Sequence, residues 1–324
     1  LNLWNTTITT FPDLLYQSGG VPVGGRFTNG KSYFVKPYDG SDSHNGRSPT
    51  KALKTLLQAK TKATADKNDV VYLISESNTA ASTTDYQSAA LDWSKDGVAL
   101  IGINAGSRVA QRSRIAQLST ATNVDDLFTV SANNCLVSDI EVYHGVNDAT
   151  STGAALVSGS RNRFVNCTFA GIGHATQDTA GNYSLKVTGS ENIFEDCTIG
   201  LDTISRATAT YEMYFNGGAT RNIFRKCRIV SYAGAAAFTF ITSPASGVDR
   251  SNLFEDCVFI NMPTTVASGT TMNQAMAITG GGSPDGLFIF RNCSFTGVTA
   301  VQTSGTIRCQ INATCTSKTI TNNI

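Results

Sequence analysis

Asn162-Arg163-Phe164-Val165-Asn166-Cys167-Thr168-Phe169 is the first of four copies of one eight-residue phrase. It returns as Asn192-Ile193-Phe194-Glu195-Asp196-Cys197-Thr198-Ile199, then as Asn222-Ile223-Phe224-Arg225-Lys226-Cys227-Arg228-Ile229, then as Asn252-Leu253-Phe254-Glu255-Asp256-Cys257-Val258-Phe259. A fifth copy reads Phe288-Ile289-Phe290-Arg291-Asn292-Cys293-Ser294-Phe295, and the cysteines step by 30, 30, 30 and 36 residues. An earlier degenerate copy, Val137-Ser138-Asp139-Ile140-Glu141-Val142, puts Ile140 in the cysteine slot. Short β-prone segments precede the copies, such as Ala155-Leu156-Val157, Ser184-Leu185-Lys186-Val187 and Met213-Tyr214-Phe215, often followed by Gly turn signals such as Ser158-Gly159-Ser160. Each repeat therefore reads strand, turn, strand, variable loop, which is one coil of a solenoid.

Stacking coils in register places like side chains over one another at about 4.8 Å. The repeat predicts an asparagine ladder (Asn162, Asn192, Asn222, Asn252), a phenylalanine ladder (Phe164, Phe194, Phe224, Phe254, Phe290) and a cysteine ladder (Cys167, Cys197, Cys227, Cys257, Cys293). Phe and Cys are three apart, so strict alternation would send them to opposite faces. A bend between them lets both point inward and turns the two intervening residues out. Those residues alternate in sign up the stack: Glu195, Arg225, Glu255, Arg291 in one row and Asp196, Lys226, Asp256 in the next. Glu195 with Asp196, or Glu255 with Asp256, could be read as a carboxylate pair for acid catalysis. Alternation with Arg225 and Lys226 favours a surface ion-pair ladder.

Composition agrees with an all-β chain. Of 324 residues only 15% are charged and 41% are hydrophobic, with Lys plus Arg at 25 and Asp plus Glu at 24. A net charge of +1 gives no electrostatic pull toward nucleic acid or an acidic membrane surface. No apolar run is long enough to span a bilayer. The start, Leu1-Asn2-Leu3-Trp4, lacks the basic and apolar regions of a secretory leader. In-register thiols about 4.8 Å apart sit wide for disulfides, so the cysteine row reads as small buried hydrophobes made in a reducing cytosol. Cys309 and Cys315 lie outside the row and could pair. The Asn-x-Ser/Thr matches at Asn166 and Asn292 fall inside the repeat and are not read as glycosylation sites.

Ahead of the coils, Tyr33-Phe34-Val35 reads as a strand and Ser48-Pro49 as a helix start. Ala52, Leu53, Leu56, Leu57, Ala59 and Ala63 follow the helical period, and Val70-Val71-Tyr72-Leu73-Ile74 reads as a strand. A helix here would cap the open edge of the first coil. The domain reading is an arm over residues 1–30 and a β-helix over 31–324, with its cap at 31–75 and coils at 76–324.

The run from Tyr33 to Ile74, with Asp39-Gly40-Ser41-Asp42, Ser48-Pro49, Lys54-Thr55-Leu56 and Asn68-Asp69, resembles the N-terminal cap of pectate-lyase-like parallel β-helix proteins. The Asn-x-Phe-x-x-Cys coils are similar to that superfamily's. The stretch Ser18-Gly19-Gly20-Val21-Pro22-Val23-Gly24-Gly25-Arg26-Phe27, followed by that cap, resembles β-helical virion proteins of tailed bacteriophages. The resulting fold expectation is an all-β, right-handed, single-stranded parallel β-helix with a short N-terminal capping helix.

Function must come from a site rather than the fold. Three histidines, His44, His144 and His174, show no metal spacing; His144 and His174 are thirty apart and could share neighbouring coils, or be solvated loop residues. Asp125-Asp126 opens the strand Leu127-Phe128-Thr129-Val130 and reads as a solvated strand start rather than a catalytic pair. Asp39 with Asp42 could hold calcium or shape a plain turn. Gly217-Gly218 and Gly280-Gly281-Gly282 lack the context of a phosphate-binding loop and read as turns, and no Gly-x-Ser-x-Gly elbow occurs. The polar stretches Asn147 to Gly153 and Thr203 to Thr210 read as projecting loops. The arm carries Trp4, Ile8, Phe11, Leu14, Leu15 and Tyr16, a candidate interface that either covers the first coil or reaches a neighbour.

These readings, with the resemblance, lead to a first expectation: a head-surface decoration protein of a phage virion, trimeric, binding capsid or other virion proteins, without cofactor or catalysis. The trimer comes from the resemblance alone. The alternatives are a tailspike or tail-associated protein that binds or cleaves polysaccharide, for which Tyr183, Tyr211, Tyr214 and Trp93 are available, and a free polysaccharide lyase.

Overall fold

The structure, a computed structural model, describes residues 30–75, 84–104, 113–208, 211–262, 269–279 and 287–303, with short strands at Tyr16–Gln17, Val21–Pro22, Cys309–Ile311 and Ala313–Thr314. It is the expected parallel β-solenoid. Three sheets of eleven, eight and seven strands run its length among the described residues, and each coil visits them in turn. The coil from Arg163 is typical: Arg163–Val165 lies in the first sheet, Thr168–Ala170 in the second and Tyr183–Val187 in the third, before Ile193–Glu195 returns to the first. The thirty-residue repeat sets the register, with Phe164 opposite Phe194, Phe194 opposite Phe224 and Phe224 opposite Phe254.

The inferred bend is a single residue in the left-handed region. Asn166, Asp196, Lys226, Asp256 and Asn292 have φ between 50° and 54°. One such residue turns the chain from the first sheet to the second, so Phe and Cys both face the core. Phe164, Phe194, Phe224, Phe254 and Phe290 are fully buried, as are Cys197, Cys227 and Cys257; Cys293 in the last coil is half-buried. Register forces the phenyl rings face to face, at 4.6, 4.4 and 4.6 Å between successive centroids from Phe164 to Phe254. The edge contacts that aromatic quadrupoles prefer come from other strands, as with Phe215 against Phe224 at 74°. Each thiol lies near backbone carbonyls; Cys227 Sγ is 3.4 Å from the oxygens of Phe194 and Arg225.

The asparagine ladder satisfies the corner before the first sheet. Asn162, Asn192 and Asn222 donate their backbone N–H groups to the side-chain oxygens of Asn192, Asn222 and Asn252, at 2.9, 2.9 and 3.1 Å. Their side-chain amides donate to the carbonyls of Ala132, Gly159 and Gly189. Cys135 extends the row: its N–H donates to Asn162 Oδ1 at 2.8 Å. On the outer surface the charge ladder is continuous. Arg225 bridges Glu195 and Glu255 at 3.1 and 2.9 Å, Arg291 reaches Glu255 at 3.0 Å, and Arg163 pairs with Glu195.

Three elements differ from the sequence reading. Ser48 and Pro49 open only a 3-10 turn, Pro49–Lys51; the α-helix is Leu56–Lys62, capped by Thr55, whose hydroxyl accepts from Gln58 N at 3.2 Å. Thr203 to Arg206 is no projecting loop but the end of the strand Thr198–Arg206. Arg206 is fully buried, 2.7 Å from the equally buried Glu212, and it donates to the carbonyls of Ile204 and Gly171. That ion pair ties the second sheet to the third from inside. Trp93 is likewise core, its indole N–H donating to Val98 O at 3.0 Å.

The helix also rests on a buried acid. Asp85, at the start of the second sheet, accepts from Leu56 N at 2.9 Å. Burial pushes its carboxyl up from 3.8 to about 7. The folded chain keeps a proton that the unfolded chain releases above about pH 4, so this group makes stability fall as pH rises to about 7 and level off beyond. Thermal unfolding across that window should show the slope, and Asp85→Asn should flatten it. In the core, Cys227→Asp should cost about 4 kcal/mol or prevent folding. Glu195→Gln on the surface should stay within about 1 kcal/mol, measured by denaturant unfolding.

Candidate functional site

The outward face of the third sheet gathers the aromatic side chains. Its strands include Phe128–Val130, Gly153–Val157, Tyr183–Val187, Tyr211–Phe215 and Thr239–Pro244. One outward row runs Asp92, Thr129, Leu156, Lys186, Tyr214, Thr242, Ala277 in register. Tyr183 and Tyr211 stand beside it, at the strand starts. The rings of Tyr211 and Tyr214 are 4.9 Å apart and inclined by 17°, and Tyr183 lies 6.3 Å from both. Lys186 places its ammonium 5.7 Å from the Tyr183 ring and 6.0 Å from the Tyr214 ring. Tyr211, Tyr214 and Lys186 are half-buried, so each keeps an open side.

Tyr183 is pinned. Gly153 sits opposite it on the preceding coil, and a Cβ there would fall 2.2 Å from its ring. The missing side chain lets the ring lie back along the solenoid axis, where its hydroxyl donates to Asp126 Oδ1 at 2.5 Å. Asp126 itself has φ 49° and is half-buried, while Asp125 beside it is exposed. Burial raises the Asp126 carboxyl above its ordinary value, and the Tyr183 hydrogen bond and Lys186 charge oppose that rise. The phenol of Tyr183 is raised too, by burial first and then by Asp126. The face thus offers flat apolar surfaces, one cation and one carboxyl held nearer neutrality than usual, the environment in which a side chain exchanges protons.

The other candidate residues go elsewhere. His144 is fully buried rather than solvated, with Nε2 2.6 Å from Gln117 Oε1, and burial lowers its pKa to about 4. His174 caps the 3-10 turn Ala175–Gln177. Asp42 accepts from Lys54 N, Thr55 N and Thr55 Oγ1, so its carboxylate serves the helix start, and Asp39 pairs with Lys36 at 3.8 Å. No group of three metal-ligating side chains occurs among the described residues. Asp148 holds the 147–153 loop by accepting from Asn123, Thr150 and Ser151. Gly217 and Gly218 form a turn, at φ 67° and 79°. Trp4, Ile8, Phe11, Leu14 and Leu15 lie outside the described residues, as do Gly280 to Gly282 and Cys315. Tyr16 is placed only by its backbone, in a strand antiparallel to Val21–Pro22, and Cys309 only in a strand parallel to Phe288–Phe290.

No family model and no curated protein matches the chain. Solved structures do match in fold. A rhamnogalacturonan lyase aligns over 82% of this chain and 68% of its own, with a TM-score of 0.56 and 17% identity. Pectin methylesterase PemA from Erwinia chrysanthemi aligns over 84% and 80%, at 0.51 and 16%. A pectin methylesterase in complex with a hexasaccharide aligns over the same shares, at 0.51 and 15%. The chain is thus a parallel β-helix with pectate-lyase-like neighbours. This corrects the expectation of a protein without catalysis: the solved structures named above, which share its fold, are a rhamnogalacturonan lyase and pectin methylesterases. Asp126, read from the sequence as part of a solvated strand start, instead pairs with a phenol 57 residues away, Tyr183.

The opposed effects on Asp126 are separable. Tyr183→Phe removes the hydrogen bond that favours the carboxylate, so Asp126 should titrate higher in the variant than in the parent. Carboxyl-selective NMR titration reads the shift; an unchanged or lower pKa would contradict the assignment.

Proposed function

We propose that the protein binds an extended polysaccharide along the third sheet, with sugar rings stacked on Tyr211 and Tyr214, whose rings pack against the buried Tyr183. The observation that carries this reading is the near-parallel tyrosine cluster on consecutive coils, with Lys186 and Asp126 at its margin. The C–H face of a pyranose is weakly positive and meets the negative face of an aromatic ring. Lys186 supplies a donor that orients hydroxyl or carboxylate groups. A stiff solenoid suits the task, since the platform is fixed before the glycan arrives and little ordering cost remains.

A second reading adds chemistry, and Asp126 favours it. Its raised carboxyl beside the Tyr183 hydroxyl supports proton transfer to or from a bound sugar, so glycan modification at this face belongs to the proposal. Of the two virion roles suggested by the sequence, the tail-associated one accords better with a saccharide-binding face. Trimerisation and the place in a virion rest on the resemblance alone.

Affinity electrophoresis in gels containing acidic and neutral polysaccharides tests binding. At least one should retard the protein, and Tyr211→Ala with Tyr214→Ala should each weaken retention about tenfold. Asp126→Asn should leave retention within about threefold while abolishing any release of reducing ends, unsaturated products or ester groups. Retention that ignores both tyrosine variants would overturn the assignment of this face.

A further inference from the structure

A separate groove opens on the second sheet and shares no residue with the tyrosine face. Its volume is about 300 Å³, and Tyr86, Arg114, Gln117, Leu118 and Tyr143 are among the residues that line it. That is the lower end of the range for small-ligand sites. In register its outward row reads Tyr86, Ala116, Tyr143, so two phenols stand two strands apart with only a methyl group between them. Tyr86 is 45% exposed and Leu118 38%, two of the few large apolar side chains left open to solvent among the described residues. Tyr143 is fixed: its ring lies over Gly145, where a Cβ would be 2.4 Å away, and its hydroxyl donates to Gly173 O at 3.2 Å.

Arg114 gives the groove its chemistry. Its Nε donates to Glu141 Oε2 at 3.1 Å, and its guanidinium carbon lies 5.3 Å from the Tyr143 ring centroid. These contacts hold the side chain, which is only 10% exposed. They use one of its three nitrogens. The two terminal amino groups have no acceptor among the described residues. A guanidinium held in place, largely withdrawn from water and with its outer donors free, suits a planar two-oxygen acceptor.

We propose that this groove is a second saccharide site, for a single sugar ring that carries a carboxylate. The carboxylate takes the outer donors of Arg114, while the ring packs against Tyr86 and Leu118. Glu141 already neutralises Arg114, so electrostatic attraction is modest and recognition depends on both contacts together. The proposal is independent of the tyrosine face, because neither the residues nor the sheet are shared.

The test is titration of the full chain with D-glucuronate, D-galacturonate and N-acetylneuraminate, against D-glucose and D-galactose, read by saturation-transfer NMR. At least one acid should bind and the neutral sugars should not. Tyr86→Ala, at an exposed position that folding tolerates, should weaken binding at least about tenfold. Arg114→Lys, which keeps a cation beside Glu141, should weaken it as well, because an ammonium cannot present the fork. Three results would overturn the proposal: no acid binds, acids and neutral sugars bind alike, or Tyr86→Ala binds as the parent does. Loss of acid binding on Tyr214→Ala with Tyr86→Ala unaffected would move the ligand to the other face and also overturn it.

Discussion

The asparagine at the start of each first-sheet strand is the constraint from which the coil follows. A solenoid must turn a corner between sheets on every coil, and each corner brings backbone polar groups into the interior. Asn192 resolves this in four bonds: its side-chain oxygen accepts from Asn162 N, its amide donates to Gly159 O and to Asn222 Oδ1, and its own N–H is accepted by Asn222 Oδ1. An apolar residue at the same place would strand a donor, Asn162 N, and a carbonyl, Gly159 O, both on the preceding coil, at about 1–3 kcal/mol each. Because each asparagine completes its neighbour, the corner is stable only in register, and register then stacks Phe on Phe and Cys on Cys.

That register also creates the functional surfaces. Parallel pairing repeats positions but not identities, so a row that is apolar inside is free to vary outside. On the first sheet the outward row became an ion-pair ladder of Glu195, Arg225, Glu255 and Arg291, joined at its end by Arg163 from the neighbouring row. On the third it became tyrosines with Lys186 and Asp126, and on the second it became Tyr86 and Tyr143 about an alanine. The small residues matter as much as the aromatics: Gly153 makes room for Tyr183, and Gly145 for Tyr143. The buried pair of Arg206 and Glu212 anchors the third sheet just beneath Tyr211, so the platform rests on a fixed corner.

What could be read from the chain was whatever repeats. The copies at Asn162, Asn192, Asn222 and Asn252 disclosed the fold, the inward cysteines, the bend and the charge ladder, because a thirty-residue period turns a local pattern into a spatial one. The signals that failed were local and ambiguous. Ser48-Pro49 suits a 3-10 turn as well as a helix, and the polar run from Thr203 hid a strand because Arg206 looks exposed until Glu212 is placed beside it. Trp93 looked available for a ligand, yet its indole N–H is satisfied within the core. The Asp126–Tyr183 pair was out of reach for a different reason. It joins residues two coils apart through a ring that tilts along the axis, and only the glycine at 153, read against Tyr183 in the next copy, hints at the tilt.

The central claim is that a glycan lies along the third sheet on these tyrosines. Hydroxyl-radical footprinting resolved to single tyrosines addresses it directly, with the polysaccharide that binds best as the protecting ligand. The account predicts protection of Tyr211 and Tyr214 while Tyr38, 68% exposed and remote from the face in sequence, reacts as before. Uniform reactivity of Tyr211 and Tyr214 with and without saturating polysaccharide would contradict it.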